Sequence, residues 1–305
     1  METTLMDKTV GIIGLGIMGG AIARNLVERG WCVIGFDTDA TKRAELALAN
    51  IEIAGNVEQV ARDVPIIMTS LPSPASAAKV AQSIADSGQS PRIVVELSTL
   101  SIVDKLRFET ILNKAGHVAL DCPLSGTGAQ AKLRDLIVYA SGDSNAIATC
   151  QNLFSDFARQ SADLGRFGNG SRMKFVANHL VAIHNVAAAE AMVLAERAGL
   201  DPNMVVDMVG PGAGGSRMFQ MRAPMMVQGV YEPATMKISI WRKDMAVIAD
   251  FAEEVGCTTP LFALTQPIYE EAMTMGLGDQ DTASVFEVLK KTIITSPKSS
   301  KPGRE

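Results

Sequence analysis

Two stretches of the 305-residue chain have residue types and spacing suited to chemistry. The first is Gly14-Leu15-Gly16-Ile17-Met18-Gly19, a G-x-G-x-x-G between a compact apolar run and a helical pattern. Its first glycine permits a tight turn. The second lets backbone approach a pyrophosphate, and the third lets the helix pack closely on the strand. Unpaired N–H groups and the dipole at the helix start would face the phosphates. Asp37 follows 23 positions after Gly14, at the end of the next apolar run. A carboxylate there can hydrogen-bond an adenosine ribose 2′-hydroxyl and repels a 2′-phosphate, which favours NAD over NADP. Thr38 brings no cation for such a phosphate, although Arg43 lies one helical turn further on. Asp37 is also a candidate cap for a helix starting near Ala40, with Asp39 competing for that place. The second stretch is Gly165-x-x-Gly168-x-Gly170-x-x-x-Lys174-x-x-x-Asn178. Its glycines release the backbone before a long helix, on which Lys174 and Asn178 stand four apart and share a face. A lysine at the start of an otherwise apolar helix is a poor core residue.

The elements that must position these residues alternate along the first half. Residues 9–13, 32–36, 64–69, 93–97, 117–121, 136–140 and 162–164 read as strands, and 18–29 and 40–49 as helices. Strands separated by helices indicate βαβ units and a mostly parallel sheet covered on both faces. After Gly170 the pattern becomes helical. Residues 171–198 read as one long helix, capped by Ser171 or Asn169 and ended by Gly199. Asp201-Pro202 reads as the cap and first position of the next helix. No useful strand alternation follows up to residue 294, and 210–215 is a glycine-rich loop. The fold class is therefore α/β: an N-terminal Rossmann-like dinucleotide-binding domain over 1–164, then an all-α domain over 165–295 entered through a long interdomain helix. Residues 296–305, rich in Ser, Pro and Lys, read as a disordered tail.

Composition removes other classes. With 28 Lys and Arg against 33 Asp and Glu, the net charge of −5 argues against a nucleic-acid partner. A hydrophobic fraction of 47% argues against disorder. The mean hydropathy of +0.17 comes from apolar residues spread along the chain. The longest apolar stretch, 176–200, contains Asn178, His179, His184, Asn185, Glu190, Glu196 and Arg197, so it cannot span a bilayer. No basic stretch leads into an apolar segment at the N-terminus. Cys32, Cys122, Cys150 and Cys257 form no C-x-x-C pair, and His117, His179 and His184 show no metal spacing. The expectation is a reduced, cytoplasmic protein with no metal and no membrane or nucleic-acid partner.

In their order, the motifs resemble those of the β-hydroxyacid dehydrogenase family, the 3-hydroxyisobutyrate dehydrogenase-like enzymes, over residues 8–295. Residues 11–19 resemble the family's cofactor signature. Asp121-Cys122-Pro123-Leu124-Ser125-Gly126-Thr127 resembles its substrate loop, Lys174 to Asn178 its catalytic segment, and Lys243-Asp244 a second cofactor-side motif. Leu71-Pro72 with Ser76, and Ser98-Thr99, stand where the family contacts the cofactor. Two departures are visible. Thr127 replaces a usual second glycine, and Trp241 and Arg242 precede Lys243 where smaller or apolar residues are common.

The resemblance implies an NAD(P)-dependent enzyme that takes a small β-hydroxy acid to its semialdehyde or keto acid. The substrate carboxylate would bind at Ser125, Gly126 and Thr127 through charge-assisted donors. Lys174 would be general acid and base, accepting the hydroxyl proton as hydride leaves. Asn178 would hold the substrate or, alternatively, satisfy a neighbouring loop. Lys243 would touch the nicotinamide end or pair with Asp244. Gly14, Gly16, Ile17, Met18, Gly19, Asp37, Leu71, Pro72, Ser76 and Thr99 complete the implied cofactor set. The long apolar helices and the family's habit imply a homodimer or homotetramer. Two other readings stay open: a short 6-phosphogluconate dehydrogenase, which usually has a histidine where Ala177 stands, and a non-catalytic dinucleotide-binding module, which would have lost the lysine.

Overall fold

The computed structural model describes residues 8–294; the expected tail at 296–305 lies outside the described residues. The chain divides into two compact units, Met1–Ala177 and Asn178–Glu305. The division falls inside a single 29-residue helix.

The first unit alternates as the apolar runs predict: β1 (Thr9–Ile13), α1 (Ile17–Glu28), β2 (Cys32–Phe36), α2 (Ala40–Ala47), β3 (Glu52–Ile53), α3 (Val57–Asp63), β4 (Ile66–Thr69), α4 (Pro74–Asp86), β5 (Ile93–Glu96), α5 (Ile102–Lys114) and β6 (Val118–Asp121). These six strands form one parallel sheet in the order β3-β2-β1-β4-β5-β6. Alternate side chains of β1 enter two separate cores. Val10 and Ile12 pack with Ile22 and Leu26 of α1, whereas Ile13 packs with Val60 of α3 and Phe108 of α5. Both faces are covered, so the central strands β1 and β4 are apolar on both sides. The chain order reverses between β1 and β4. In open α/β sheets this is the point where ligands bind, beyond the carboxyl ends of the strands.

A second, three-stranded sheet follows, built from β7 (Leu124–Ser125), α6 (Gly128–Lys132), β8 (Ile137–Ala140), α7 (Ser144–Thr149), α8 (Gln151–Phe157) and β9 (Gln160–Asp163). β7 pairs antiparallel with β8, and β8 parallel with β9. The two-residue strands β3 and β7 were not anticipated, because two residues carry no alternation to read.

Helix α9 (Asn169–Arg197) begins two residues before the expected start at 171, with Asn169 its first residue. Gly199 follows its end with φ of 75°. The second unit continues with α10 (Pro202–Val209), α11 (Arg217–Gln228), α12 (Ile238–Glu254), α13 (Pro260–Thr274), a single 3-10 turn at Thr282–Ser284 and α14 (Val285–Ile294). Asp201 caps α10 by accepting from Asn203 N–H and Met204 N–H. Trp241, Phe262 and Tyr269 are buried among these helices. A buried ion pair joins Arg222 to Asp281 at 2.8 Å. The second oxygen of Asp281 accepts the N–H and hydroxyl of Thr235, each at 2.8 Å. No described helix is long and apolar enough to cross a membrane.

Candidate active site

The glycine turn joins β1 to α1, and its three glycines do different things. Gly14 has φ of 95°, and a Cβ there would stand 2.1 Å from the Ser70 carbonyl oxygen at the end of β4. A Cβ on Gly19 would stand 1.9 Å from the Gly14 carbonyl oxygen. Gly16 is the opposite case, because a Cβ on it would meet nothing within 4 Å. Gly16 is also the N-cap of α1 and provides no side-chain cap. The first N–H groups of α1 therefore border open space, which fits a pyrophosphate. Ile17 is exposed and Met18 half-buried beside it.

Asp37, just past β2, faces this turn. Its Oδ2 accepts Leu15 N–H and its Oδ1 accepts Asp39 N–H, both at 2.8 Å. Asp39, not Asp37, caps α2, by accepting Thr41 N–H at 2.8 Å. Two cations lie close by. Lys42 Nζ is 3.9 Å from Asp37 Oδ2, and Arg43 donates to the Asp37 carbonyl at 2.6 Å. At the next strand ends, Leu71 N–H donates to Ser98 Oγ at 2.8 Å, which ties β4 to β5. Pro72 is exposed, and Ser76 donates its N–H to Ser73 Oγ, the cap of α4. Thr99 is half-buried just past β5. The predicted cofactor residues of the first unit thus line the carboxyl ends of β1, β2, β4 and β5.

The predicted substrate loop is brought to the same place by two residues that were not singled out. A Cβ on Gly128 would stand 2.3 Å from Ile17 Cγ2, so the start of α6 lies directly on the glycine turn. Asn25 of α1, buried, donates to the Ala131 carbonyl of α6 at 2.7 Å. Ser125, Gly126 and Thr127 are half-buried at the mouth of this contact. Gly126 has φ of 134°, and Leu136 Cδ2 closes off the place of its Cβ at 2.5 Å. Thr127 N–H donates to Gln130 Oε1 at 3.0 Å, while its hydroxyl lies 3.5 Å from that oxygen.

Lys174 lies in the second turn of α9 and is only 8% exposed. The turn before it is held by a network that sequence reasoning missed. Glu96, Lys105 and Asp121, at the ends of β5 and β6 and on α5, are all fully buried. Lys105 pairs with Glu96 and, at 2.9 Å, with Asp121 Oδ1. Burial opposes the Lys105 charge, but the two carboxylates outweigh it and hold the ammonium above the ordinary lysine range. Cys122, next in the chain, is buried, and that burial pushes its thiol well up. An inert, packed thiol is what its place in an apolar pocket gives.

In the second unit, Asn178 and Lys243 meet on one carboxylate. Asn178 Nδ2 donates to Asp244 Oδ2 at 3.2 Å, and Lys243 Nζ lies 3.2 Å from Asp244 Oδ1. Asp244 and Asn178 are buried, and Lys243 is half-buried. Of the two unusual neighbours, Trp241 is buried near the Tyr269 ring and Arg242 pairs with Glu270 at 2.8 Å.

A parallel sheet of this order, with an open glycine-led helix start and an acid after β2, defines a dinucleotide-binding protein. Residues 9–165 match the family described as the NAD binding domain of 6-phosphogluconate dehydrogenase. Residues 168–289 match the family described as the NAD-binding of NADP-dependent 3-hydroxyisobutyrate dehydrogenase. Glyoxylate/succinic semialdehyde reductase 2 of Arabidopsis thaliana is 29% identical over 285 residues, covering 92% of this chain and 79% of the relative. L-threonate dehydrogenase of Cupriavidus necator is 28% identical, covering 93% and 96%. A solved structure of 3-hydroxyisobutyrate dehydrogenase from Salmonella typhimurium superposes with a TM-score of 0.83 at 28% identity, covering 92% of this chain and 99% of that one. The chain belongs to the β-hydroxyacid dehydrogenase family, NAD(P)-dependent oxidoreductases that act on CH–OH groups.

Proposed function

We propose that this enzyme interconverts a small β-hydroxy acid, of the 3-hydroxyisobutyrate type, and its semialdehyde or keto acid, and that it prefers NAD. The observation that carries the reading is the burial of Lys174 at the start of α9. A lysine amine shielded from bulk water at the ligand end of the sheet exchanges a proton with a bound hydroxyl and not with solvent. The bound nicotinamide supplies the acceptor or donor of hydride. In oxidation, neutral Lys174 Nζ takes the proton of the substrate hydroxyl; in reduction, its ammonium form returns that proton to the carbonyl oxygen. Ser125 and Thr127 hydroxyls and the Gly126 backbone hold the substrate carboxylate. Asn178, fixed on Asp244, orients the substrate without titrating. Lys243, paired with the same aspartate, serves the cofactor side.

Gly14, Gly16, Ile17, Met18 and Gly19 hold the pyrophosphate, Asp37 the adenosine ribose, and Leu71, Pro72, Ser76 and Thr99 the remaining length of the cofactor. Asp37 supports NAD because a carboxylate just past β2 can accept a ribose 2′-hydroxyl and would repel a 2′-phosphate. Lys42 and Arg43 beside it support some use of NADP. Residues 1–164 form the cofactor domain of this reading, and 165–295 the substrate and oligomerisation domain. The enzyme acts as a cytoplasmic homodimer or homotetramer.

The test is a screen of NAD⁺ and NADP⁺ reduction with serine, 3-hydroxyisobutyrate, 3-hydroxypropionate, D-glycerate, threonate and 6-phosphogluconate. Reverse assays use glyoxylate and succinic semialdehyde. Turnover of a small acid by wild type, with a loss of about a hundredfold or more in Lys174→Ala, is the expected result. Full turnover in Lys174→Ala removes the lysine from the reaction, and fast turnover of 6-phosphogluconate alone moves the enzyme to that substrate. A higher kcat/KM with NADP⁺ reverses the reading of Asp37.

A further inference from the structure

The first turn of α9 is tied to the sheet by a carboxylate that the proposed reaction does not use. Four donors surround the Asp121 carboxylate. Oδ1 accepts Lys105 Nζ at 2.9 Å and Ser171 Oγ at 2.8 Å, Oδ2 accepts Ser171 N–H at 2.7 Å, and Ser141 Oγ, which donates to the Asp121 carbonyl at 3.1 Å, lies 3.4 Å from Oδ2. The Ser141 hydroxyl in turn accepts Gly170 N–H at 2.9 Å. Backbone closes in as well: a Cβ on Gly170 would stand 2.2 Å from the Tyr139 carbonyl oxygen and 2.6 Å from that of Asp121. Two N–H groups that a helix start leaves unpaired are thus accepted by side chains from β6 and the residue after β8. A local cap would satisfy such groups wherever the helix lay. A cap from a distant strand also fixes where the helix lies.

The charge balance points the same way. Two carboxylates, Glu96 and Asp121, share one ammonium, Lys105, in a fully buried place. Glu96 is satisfied by Lys105 and, at 2.9 Å, by Ser98 N–H. The remaining negative charge faces the start of α9, which carries roughly half a positive charge. The network is therefore complete only when α9 is seated. Lys174 is three residues beyond Ser171 on the same helix.

We propose that Asp121, held by Lys105, is a positioning residue for Lys174: by clamping Ser171 it fixes the first turn of α9 at the ends of β6 and β8, and so sets where the lysine amine stands for proton transfer. The proposal rests on the reading of Lys174 as acid and base. Displacing a reacting group by about 1 Å can cost about a hundredfold in rate, so a clamp of this kind has room to act.

The experiment uses Ser171→Ala, which removes one of the four donors, with Ser171→Thr as the conservative variant. Each is made in wild-type and Lys174→Ala backgrounds. Turnover is read with the fastest acid of the screen, NADH affinity by fluorescence, and the seating of α9 by hydrogen exchange of the segment 168–176. For Ser171→Ala the expected result is faster exchange in that segment and unchanged NADH affinity. Its kcat falls by about tenfold at nearly constant KM, and Ser171→Thr restores most of it. In the Lys174→Ala background the same change should lower the residual rate less than twofold, because there is no amine left to position. Unchanged exchange in 168–176 overturns the clamp. Equal losses of rate in both backgrounds reduce Asp121 to a structural role and overturn the positioning. Full activity of Lys174→Ala overturns the reading beneath the proposal, whereas an inactive Lys174→Ala beside a fully active Ser171→Ala overturns the proposal alone.

Discussion

Two helices of the first unit begin near glycines at the ends of strands, and the two beginnings are opposites. At α1, Gly16 faces empty space and no side chain caps the helix. At α9, Gly170 is wedged against two carbonyl oxygens, and Ser141 and Asp121 accept its first N–H groups. Glycine serves both, for different reasons. At α1 the missing Cβ leaves the place at the helix start open. At α9 it lets the protein's own strands and carboxylate come close enough to fill that place. A helix start is a ligand site only where the chain has not already supplied the anion.

Removing the cation from the filled end should have the largest effect. Lys105→Met leaves Glu96 and Asp121 buried without a counter-charge, and breaking a buried pair in this way costs about 3–5 kcal/mol. The loss should depend on pH. In denaturant titrations the deficit of the variant should stay full from pH 5 to pH 8 and narrow only at strongly alkaline pH. In the wild type the Lys105 pKa is raised. Its contribution should be intact below the unfolded lysine pKa and fade only as strongly alkaline pH passes the folded one. A deficit that narrows already between pH 5 and pH 8 would mean that the two carboxylates do not hold the lysine charged.

The contrast between the two glycines gives the next effect. Gly16→Ala should unfold at the wild-type temperature, because its Cβ meets nothing, yet bind NADH about tenfold more weakly if the methyl enters the phosphate site. Gly170→Ala should instead lower Tm, because its Cβ meets two carbonyl oxygens well inside contact distance. NADH titration and thermal unfolding of the two variants check both halves. Exchanged outcomes, with Gly16→Ala unstable and Gly170→Ala merely weak in binding, would undo the comparison.

The open end was legible in the sequence and the filled end was not, for a physical reason. The G-x-G-x-x-G turn is local: strand, glycines, helix and Asp37 lie within one βαβ unit, where spacing and type reveal the backbone. The same holds for Asp201-Pro202 at the start of α10 and for the segment that carries Lys174. The filled end is assembled from Glu96, Lys105, Asp121, Ser141 and Ser171, spread over three strand ends and two helices. Lys105, read alone, is a charge on a short helix, and such a charge usually faces solvent. Only pairing across the sheet shows that it faces inward. Asn25 and Gly128, which bring the start of α6 onto the glycine turn, were hidden in the same way. Asp37 shows the reverse limit. Its place was legible, but its acceptance of Leu15 N–H, and the role of Asp39 as the cap, needed the fold.

The smallest effect offers the finest view of the filled end, because a thiol sits beside it. Cys122 follows Asp121 and is fully buried; burial first, then the neighbouring Asp121 and Cys150, push its thiol up. Cys150 is buried too, and its thiol is pushed up to about 12 by desolvation, while Cys32 and Cys257 are exposed. A thiolate is the reactive form, so a disulfide reagent at pH 8 should titrate Cys32 and Cys257 quickly and the other two slowly. The slow pair then acts as probe and control. If Asp121 and Ser171 form a local clamp, Ser171→Ala should speed the reaction of Cys122 a few-fold and leave Cys150 unchanged, since only the turn over β6 has loosened. If both buried thiols speed up together, the serine stabilises the whole unit. The filled end would then be part of the general core and not a fastening for the helix that carries Lys174.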